Sequence, residues 1–266
     1  MLLTIDVGNT NIEFGLYDLT KKDLLGTFRL MTKGSQTSDE IGLTLCDYLY
    51  RFGWRPEQIE DVIIASVVPG IMYSLKNAMV KYLGRRPLVI NEDVFAELGY
   101  LGGATTNEHG ADRSVACMAA VEKYGAPLLV LDFGTATTVD AVDAGGVYVG
   151  GSICPGVRVS MDALAQNAAM LPHVELNLPD KMLGYDTISQ IQAGIVGGYV
   201  GSMEYLIRRT KAEMAEPDEQ IKVVATGGLA RMIADHTDTI DLVDSELILD
   251  GLVSIYQKHK AAQQSQ

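Results

Sequence analysis

Near the start of the chain, Leu2-Leu3-Thr4-Ile5-Asp6-Val7 is followed by the polar run Gly8-Asn9-Thr10-Asn11, after which Ile12, Phe14 and Leu16 alternate with other residue types. This pattern predicts a short buried strand, a tight turn and a second strand. A polar turn over residues 18–22 and a third strand over 24–31 follow. Thr37 with Glu40 three places on is a capping-box signature, and Ile41, Leu45, Tyr48, Leu49 and Phe52 then form one helical stripe that ends at Gly53. An apolar strand over 61–68, a turn at Pro69-Gly70, a helix ending near Gly84 and a short strand over 88–90 come next. This succession predicts an α/β domain with a mixed sheet.

Residues 91–110 read as the longest irregular segment, carrying Gly99, Gly102, Gly103 and Gly110; long glycine-bearing loops in compact domains are often functional. A helix then begins at Asp112 and runs to Gly125. A second strand-turn-strand pattern opens at Leu128, with a further hairpin closed at 144–146. Gly150-Gly151-Ser152 leads through Pro155-Gly156 into a helix over 157–170, and Gly151 and Gly156 serve either a ligand's approach or tight turns. Residues 174–179 look extended, and the longest helix covers 188–214. It contains Gly194, Gly197, Gly198 and Gly201, each costing about 1 kcal/mol relative to Ala, which implies a close backbone neighbour: the sheet or a dimer seam. A strand over 221–225, the turn Thr226-Gly227-Gly228-Leu229-Ala230, a short strand over 240–243 and a helix from Ser245 complete the chain. The expected division is 1–115, 116–260 and a disordered tail over 261–266.

The chemistry gathers at the two turns. Gly8 permits geometries a Cβ would forbid, Asn9 tolerates positive φ, and such a turn can aim N–H groups at an anion while Thr10 and the Asn side chains add donors. Asp6 cannot touch phosphate itself, but can hold a divalent cation or its water beside it. A single copy reads as an ordinary hairpin whose Asp and Asn satisfy the turn. However, Leu128-Leu129-Val130-Leu131-Asp132-Phe133-Gly134-Thr135-Ala136-Thr137-Thr138-Val139-Asp140 repeats strand, Asp, any residue, Gly, small polar residue, strand. Two such turns from a duplicated domain suit a nucleotide. Asp112 and Arg113 sit at a helix start, where an Asp is commonly a first-turn acid stabilised by the dipole. Facing a cleft instead, Asp112 can accept a hydroxyl proton and Arg113 can pair an anion.

Net charge narrows the partners. With 34 acidic and 21 basic residues the chain carries −13, and its basic residues form no cluster larger than pairs such as Arg85-Arg86 and Arg208-Arg209, which disfavours nucleic acid and anionic membrane surfaces. Cys46, Cys117 and Cys154 are dispersed and odd in number, as expected of reduced thiols; the four histidines show no ligand spacing, and no apolar run approaches a membrane span. A cytoplasmic location is expected.

Taken together, Asp6-Val7-Gly8-Asn9-Thr10-Asn11, Gly110-Ala111-Asp112-Arg113, Asp132-Phe133-Gly134-Thr135-Ala136-Thr137-Thr138 and Thr226-Gly227-Gly228-Leu229, in this order and in a chain of this length, resemble the type III pantothenate kinases. These belong to the actin, Hsp70 and sugar-kinase superfamily, and the similarity runs from Met1 to about Tyr256. The resemblance implies a duplicated actin-like (ribonuclease H-like) α/β fold, two similar halves enclosing a nucleotide cleft, and ATP-dependent phosphorylation of pantothenate. It implies a first phosphate loop of Asp6, Val7, Gly8, Asn9, Thr10, Asn11, Ile12 and Glu13, with Asp6 near magnesium, and a nucleotide contact from Thr135. Asp132 would help hold a monovalent cation, K+ or NH4+. Asp112 would be the base facing the pantothenate hydroxyl, within the substrate segment Gly110, Ala111, Asp112 and Arg113. Arg113 would pair the carboxylate, and Tyr100 and Thr187 would also contact pantothenate. A homodimer with active sites near its interface is implied as well. The family often has Gly-Lys-Asn-Thr where this chain has Gly184-Tyr185-Asp186-Thr187.

A base at a helix N-terminus is expected to have a lowered pKa and to act chiefly by orienting the hydroxyl, because a loose phosphoryl-transfer transition state needs positioning and charge stabilisation. The alternatives are a related small-molecule phosphotransferase, a non-catalytic homologue acting as an accessory regulator of transcription, and a filament-forming actin-like protein.

Overall fold

The computed structural model describes residues 1–21, 23–98, 110–215, 217 and 220–264. The chain forms two compact units, one of residues 1–119 with 246–266 and the other of residues 120–245.

In the first unit β1 (Leu2–Val7) pairs antiparallel with β2 (Asn11–Asp18), which pairs antiparallel with β3 (Asp23–Met31). Helix α1 (Ser38–Arg51) opens with the predicted capping box: Thr37 accepts from the Glu40 N–H at 3.2 Å and the Glu40 carboxylate accepts from the Thr37 N–H at 2.7 Å. Strand β4 (Asp61–Ser66) runs parallel to β1. Helix α2 (Met72–Ala78) continues through a π-helical turn to the left-handed Gly84, and β5 (Leu88–Val89) adds parallel to β4. The strand order is β3-β2-β1-β4-β5.

Where the sequence predicts only an irregular segment, α3 (Glu92–Glu97) forms, because the Asn91 side chain accepts from the Val94 N–H at 3.1 Å and Glu92 and Asp93 occupy its first turn. Helix α4 (Ala111–Tyr124) follows, and the division between units falls within it.

The second unit repeats the first. Strands β6 (Leu128–Phe133), β7 (Ala136–Val142) and β8 (Tyr148–Pro155) form an antiparallel meander, followed by α5 (Val157–Asn167). Helix α6 (Thr187–Gln192), a π-helical turn (Ala193–Gly197) and α7 (Gly198–Glu213) form the predicted long helix. Strand β9 (Lys222–Thr226) lies parallel to β6; α8 (Ala230–Ala234) and β10 (Leu242–Val243) come after it. The order β10-β9-β6-β7-β8 is that of the first sheet with the strands in equivalent roles. Even the burial of β1 and β6 agrees position by position, with the partly exposed residue being Asp6 in one and Asp132 in the other.

One expectation is corrected and another narrowed. The last helix, α9 (Leu247–Gln264), groups with the first unit, not the second, and continues through residues expected as a tail. Its Leu249, Leu252, Ile255 and Tyr256 share a buried cluster with Leu2, Ile63 and Val115, each such aliphatic side chain contributing about 1.5–3 kcal/mol. The glycines of the long helix do not pack on the sheet: among the described residues a Cβ added at Gly194, Gly198 or Gly201 would have nothing within 4 Å, and Gly197 faces the side chains of Met182 and Leu178, which leaves the dimer seam as the remaining reading.

Candidate active site

Each unit builds one acidic turn at the end of its central strand. In the first, Asp6 lies one residue before the end of β1, with Oδ1 buried, between Glu13 on β2 and Ala65 on β4. Asn9, Thr10 and Asn11 are exposed, whereas Val7 and Ile12 are fully buried, so their side chains serve the core. Glu13 forms a 2.7 Å ion pair with Arg29. The turn's carbonyl groups are held by protein donors: Gly8 N–H donates to Asn11 O at 3.0 Å, Thr32 N–H to Thr10 O at 2.9 Å, and the Thr32 hydroxyl to Gly8 O at 2.7 Å. Carbonyl oxygens that would repel an anion are thereby tied up. Contrary to expectation, Gly8 does not use the left-handed region; a Cβ there would stand 3.3 Å from Asn11 O.

Asp112 also belongs to the first unit. It occupies the first turn of α4, partly buried, and its Oδ1 accepts from the Arg113 N–H at 2.7 Å. The carboxylate folds back over Gly110, where a Cβ would lie 2.5 Å from Oδ1. That same Cβ would be 3.3 Å from Val67, whose N–H donates to Val7 O at 3.1 Å. The start of α4 therefore rests against the segment leaving β4, at the end of the sheet where Asp6 emerges. This is the local contact of a first-turn acid, and it orients the carboxylate. Ala111 and Arg113 are partly buried beside it. Tyr100 lies outside the described residues.

In the second unit Asp132 stands in register with Thr138 on β7 and Thr226 on β9, and Gly134, Thr135 and Ala136 form the exposed turn. Its carboxylate sits directly over Gly227, which adopts φ +90°; a Cβ there would collide with Asp132 Oδ1 and lie 2.7 Å from Phe133 N. Only glycine fits, on grounds of both backbone and space. Gly156 passes under the same turn, its N–H donating to Thr135 O at 3.0 Å. A Cβ on Gly156 would stand 2.6 Å from Thr135 O and closer still to Gly134 O. Thr226, Gly227, Asp132, Thr135 and Gly156, drawn from three separate stretches of sequence, thus form one compact cradle.

Thr187 is exposed at the first position of α6. The Asp186 that distinguishes this chain from the usual family pattern caps that helix, accepting from the Ser189 N–H at 2.9 Å, and this bond holds its pKa below the ordinary carboxylate value. Asp and Asn are near-equivalent N-caps, so the substitution preserves the local fold.

Residues that sequence reasoning missed brace the turns. Thr32 does so in the first unit. In the second, the Tyr199 hydroxyl of α7 donates to the Thr137 hydroxyl, and Cys154 Sγ donates to Thr137 O at 3.4 Å. Burial pushes the Tyr199 pKa up to about 12 and raises that of Cys154.

A sequence model of the type III pantothenate kinases matches residues 2–209. A type III pantothenate kinase of Agathobacter rectalis is 45% identical over 260 residues, 97% of both chains. Among solved structures, a Campylobacter jejuni protein described under the Baf family of transcriptional activators superposes with a TM-score of 0.59 at 20% identity, covering 97% of this chain and 99% of that one. An activator of 2-hydroxyisocaproyl-CoA dehydratase from Clostridium difficile, with ADPNP bound, gives 0.54 at 14% identity, covering 99% and 96%. At such identities the structures establish the shared duplicated actin-like fold alone. The turns, the repeated sheet and the match over most of the chain lead to one assignment: this chain belongs to the type III pantothenate kinases.

Proposed function

We propose that the protein transfers the terminal phosphoryl group of ATP to the hydroxyl of pantothenate, forming 4′-phosphopantothenate at the first step of coenzyme A synthesis. The observation that carries this reading is the 45% identity to a type III pantothenate kinase along nearly the whole chain, with both acidic turns intact.

The first turn, Asp6 to Glu13, receives phosphate through backbone and through Thr10 and the Asn side chains, its carbonyls being already occupied. The partly exposed Asp6 at the strand end fits a magnesium ion, a hard cation that takes carboxylate oxygen and water. Thr135 meets the nucleotide from the second turn. The Asp132 carboxylate, in a cradle that a Cβ at Gly227 would fill, fits a monovalent cation, potassium or ammonium. Each cation, when bound, would supply positive charge that offsets the negative charge of the nucleotide phosphates.

Asp112 holds the pantothenate hydroxyl in line and takes its proton late, as a loose transition state allows. Its bond to the Arg113 N–H fixes the carboxylate for that role. Arg113 pairs the substrate carboxylate, and Thr187 contributes a hydroxyl. Tyr100 is proposed as a further contact to pantothenate on the resemblance alone. The chain is read as a cytoplasmic homodimer without nucleic-acid partners. The open glycine face of α6–α7 and the −13 charge support this, and no described helix is long and apolar enough to cross a membrane.

ADP release with magnesium ATP, measured with and without pantothenate in sodium and in potassium buffer, tests the reading. Release that needs both pantothenate and potassium supports it, and pantothenate-independent release or none refutes it. Sedimentation at the mass of one chain would overturn the dimer.

A further inference from the structure

The duplication allows each half to serve as a control for the other, and one asymmetry stands out. In the first unit the core-facing positions beside the acidic turn are Ile12, Leu30 and Phe28: Ile12 pairs with Val7 and with Leu30, and Phe28 with Phe14. Their counterparts by strand register in the second unit are Thr137, Cys154 and Ser152. Three apolar residues in one half are polar or sulfur-bearing in the other, at equivalent positions of the repeated sheet. Thr137 is 1% exposed, and Ser152 Oγ is buried with no hydrogen-bond partner among the described residues. Helix α7 adds a fourth polar group, the Tyr199 hydroxyl, which bonds to Thr137 and also interacts with the Cys154 thiol. Around them lie Leu129, Leu131, Phe133, Val139 and Met203.

Burying polar groups in an apolar core is costly unless they are satisfied, and an apolar set already works in the twin. The turns show what the polar set replaces. In the first unit Thr32 holds the turn twice, by its N–H to Thr10 O and by its hydroxyl to Gly8 O. Strand register makes Gly156 the counterpart of Thr32, and its N–H to Thr135 O repeats the first bond. The second bond has no counterpart, because Gly156 has no side chain and the turn has settled onto it. Its turn is also one residue shorter, with Phe133 pairing Thr137 where Val7 pairs Ile12.

We propose that Tyr199 is a positioning residue for the nucleotide: its hydroxyl anchors Thr137, and through it the turn Gly134–Ala136 that presents Thr135, from beneath. It replaces the brace that Thr32 gives the first turn from the edge. The proposal rests on the reading that Thr135 meets the nucleotide. It also accounts for the π-helical turn immediately before α7, a local widening often found at functional sites, which sets where Tyr199 enters the core.

Tyr199→Phe keeps the ring and removes the hydroxyl; Thr137→Val removes the acceptor and keeps the volume. Each is expected to weaken binding of AMP-PNP, measured by calorimetry with magnesium and potassium, by about tenfold, equivalent to about 1.4 kcal/mol. In each variant KM for ATP rises by a similar factor while KM for pantothenate stays within about twofold, a split that general loosening of the core would not produce. The double variant should be no worse than either single one. Wild-type AMP-PNP affinity in both variants, or equal rises in both KM values, overturns the proposal. A wild-type protein that binds AMP-PNP tightly but releases no ADP with pantothenate would refute the kinase reading and leave the calorimetric test of Tyr199 decisive. If the wild type binds no nucleotide, both fail.

Discussion

Gly156→Ala isolates the role of the second turn unusually well. The residue has φ −63° and ψ 154°, an extended conformation that alanine adopts freely, so no backbone strain enters. What does enter is a methyl group 2.6 Å from Thr135 O, where ordinary contact begins at 3.4 Å, and still nearer to Gly134 O. Both neighbours are backbone and cannot rotate away. The turn must therefore lift by close to an ångström, or Gly156 must retreat and stretch its 3.0 Å bond to Thr135 O. Overpacking of this kind costs about 1–3 kcal/mol. For a chain of this size the thermal midpoint then falls by roughly 2–12 °C at about 2–4 °C per kcal/mol. The catalytic effect is larger in proportion, since a displacement of about 1 Å in a positioning element can cost on the order of 100-fold. Calorimetric melting combined with initial rates at varied ATP and at varied pantothenate measures both. The expected result is a lowered kcat and a raised KM for ATP, with KM for pantothenate little changed. A Gly156→Ala protein with wild-type kcat and KM for ATP would show that the turn does not carry the nucleotide.

Further outcomes follow from individual contacts. Asp112→Asn retains the shape and the bond to the Arg113 N–H but loses the proton acceptor, so kcat should fall by about 10²–10⁴ with substrate affinities preserved, as rapid-quench kinetics would show. Thr37→Ala removes the α1 cap and should cost about 1 kcal/mol by denaturant unfolding, without change in KM, since the cap supports the helix and no proposed site residue. Alkaline stability offers a separate check on Tyr199. A tyrosine pKa raised on folding from 10.0 to about 12 means that the unfolded chain loses its proton first. The stabilisation is therefore complete below pH 10.0 and disappears as pH rises towards about 12. Stability measured by urea unfolding should fall less steeply over that window in Tyr199→Phe; an identical slope would contradict the burial of its hydroxyl.

Much of the fold is legible in sequence because its signals are local. The Thr37–Glu40 box, the Gly84 stop and the alternation through Ile12, Phe14 and Leu16 each depend on residues a few positions apart, and all reappear in the structure. The repeated Asp-x-Gly turns are legible because duplication places the same local pattern twice. Long-range packing is not. The α9 stripe reads as a helix, but nothing in it states that its partners are Leu2, Ile63 and Val115 in the other half of the sequence. Asn91 carries the cap that starts α3, yet six residues with little apolar periodicity yield to a reading of loop. At the site, Asp132 and Thr135 are visible as a motif, whereas the Tyr199–Thr137 bond joins residues 62 positions apart and is visible only once register is fixed. Glycine is ambiguous in the same way. Gly194, Gly198 and Gly201, whose clustering suggests packing on the sheet or a dimer seam, meet nothing within 4 Å among the described residues, and Gly156, which in sequence suits a ligand's approach or a tight turn equally, lies directly under the second turn.

The most direct measurement is identification of the product. Purified protein incubated with magnesium ATP, pantothenate and potassium should yield, by mass spectrometry and phosphorus NMR, one phosphate monoester on the 4′-hydroxyl of pantothenate together with an equal amount of ADP. Formation of ADP without that ester, or of the ester from Asp112→Asn at the wild-type rate, would contradict the reaction and the role given to Asp112.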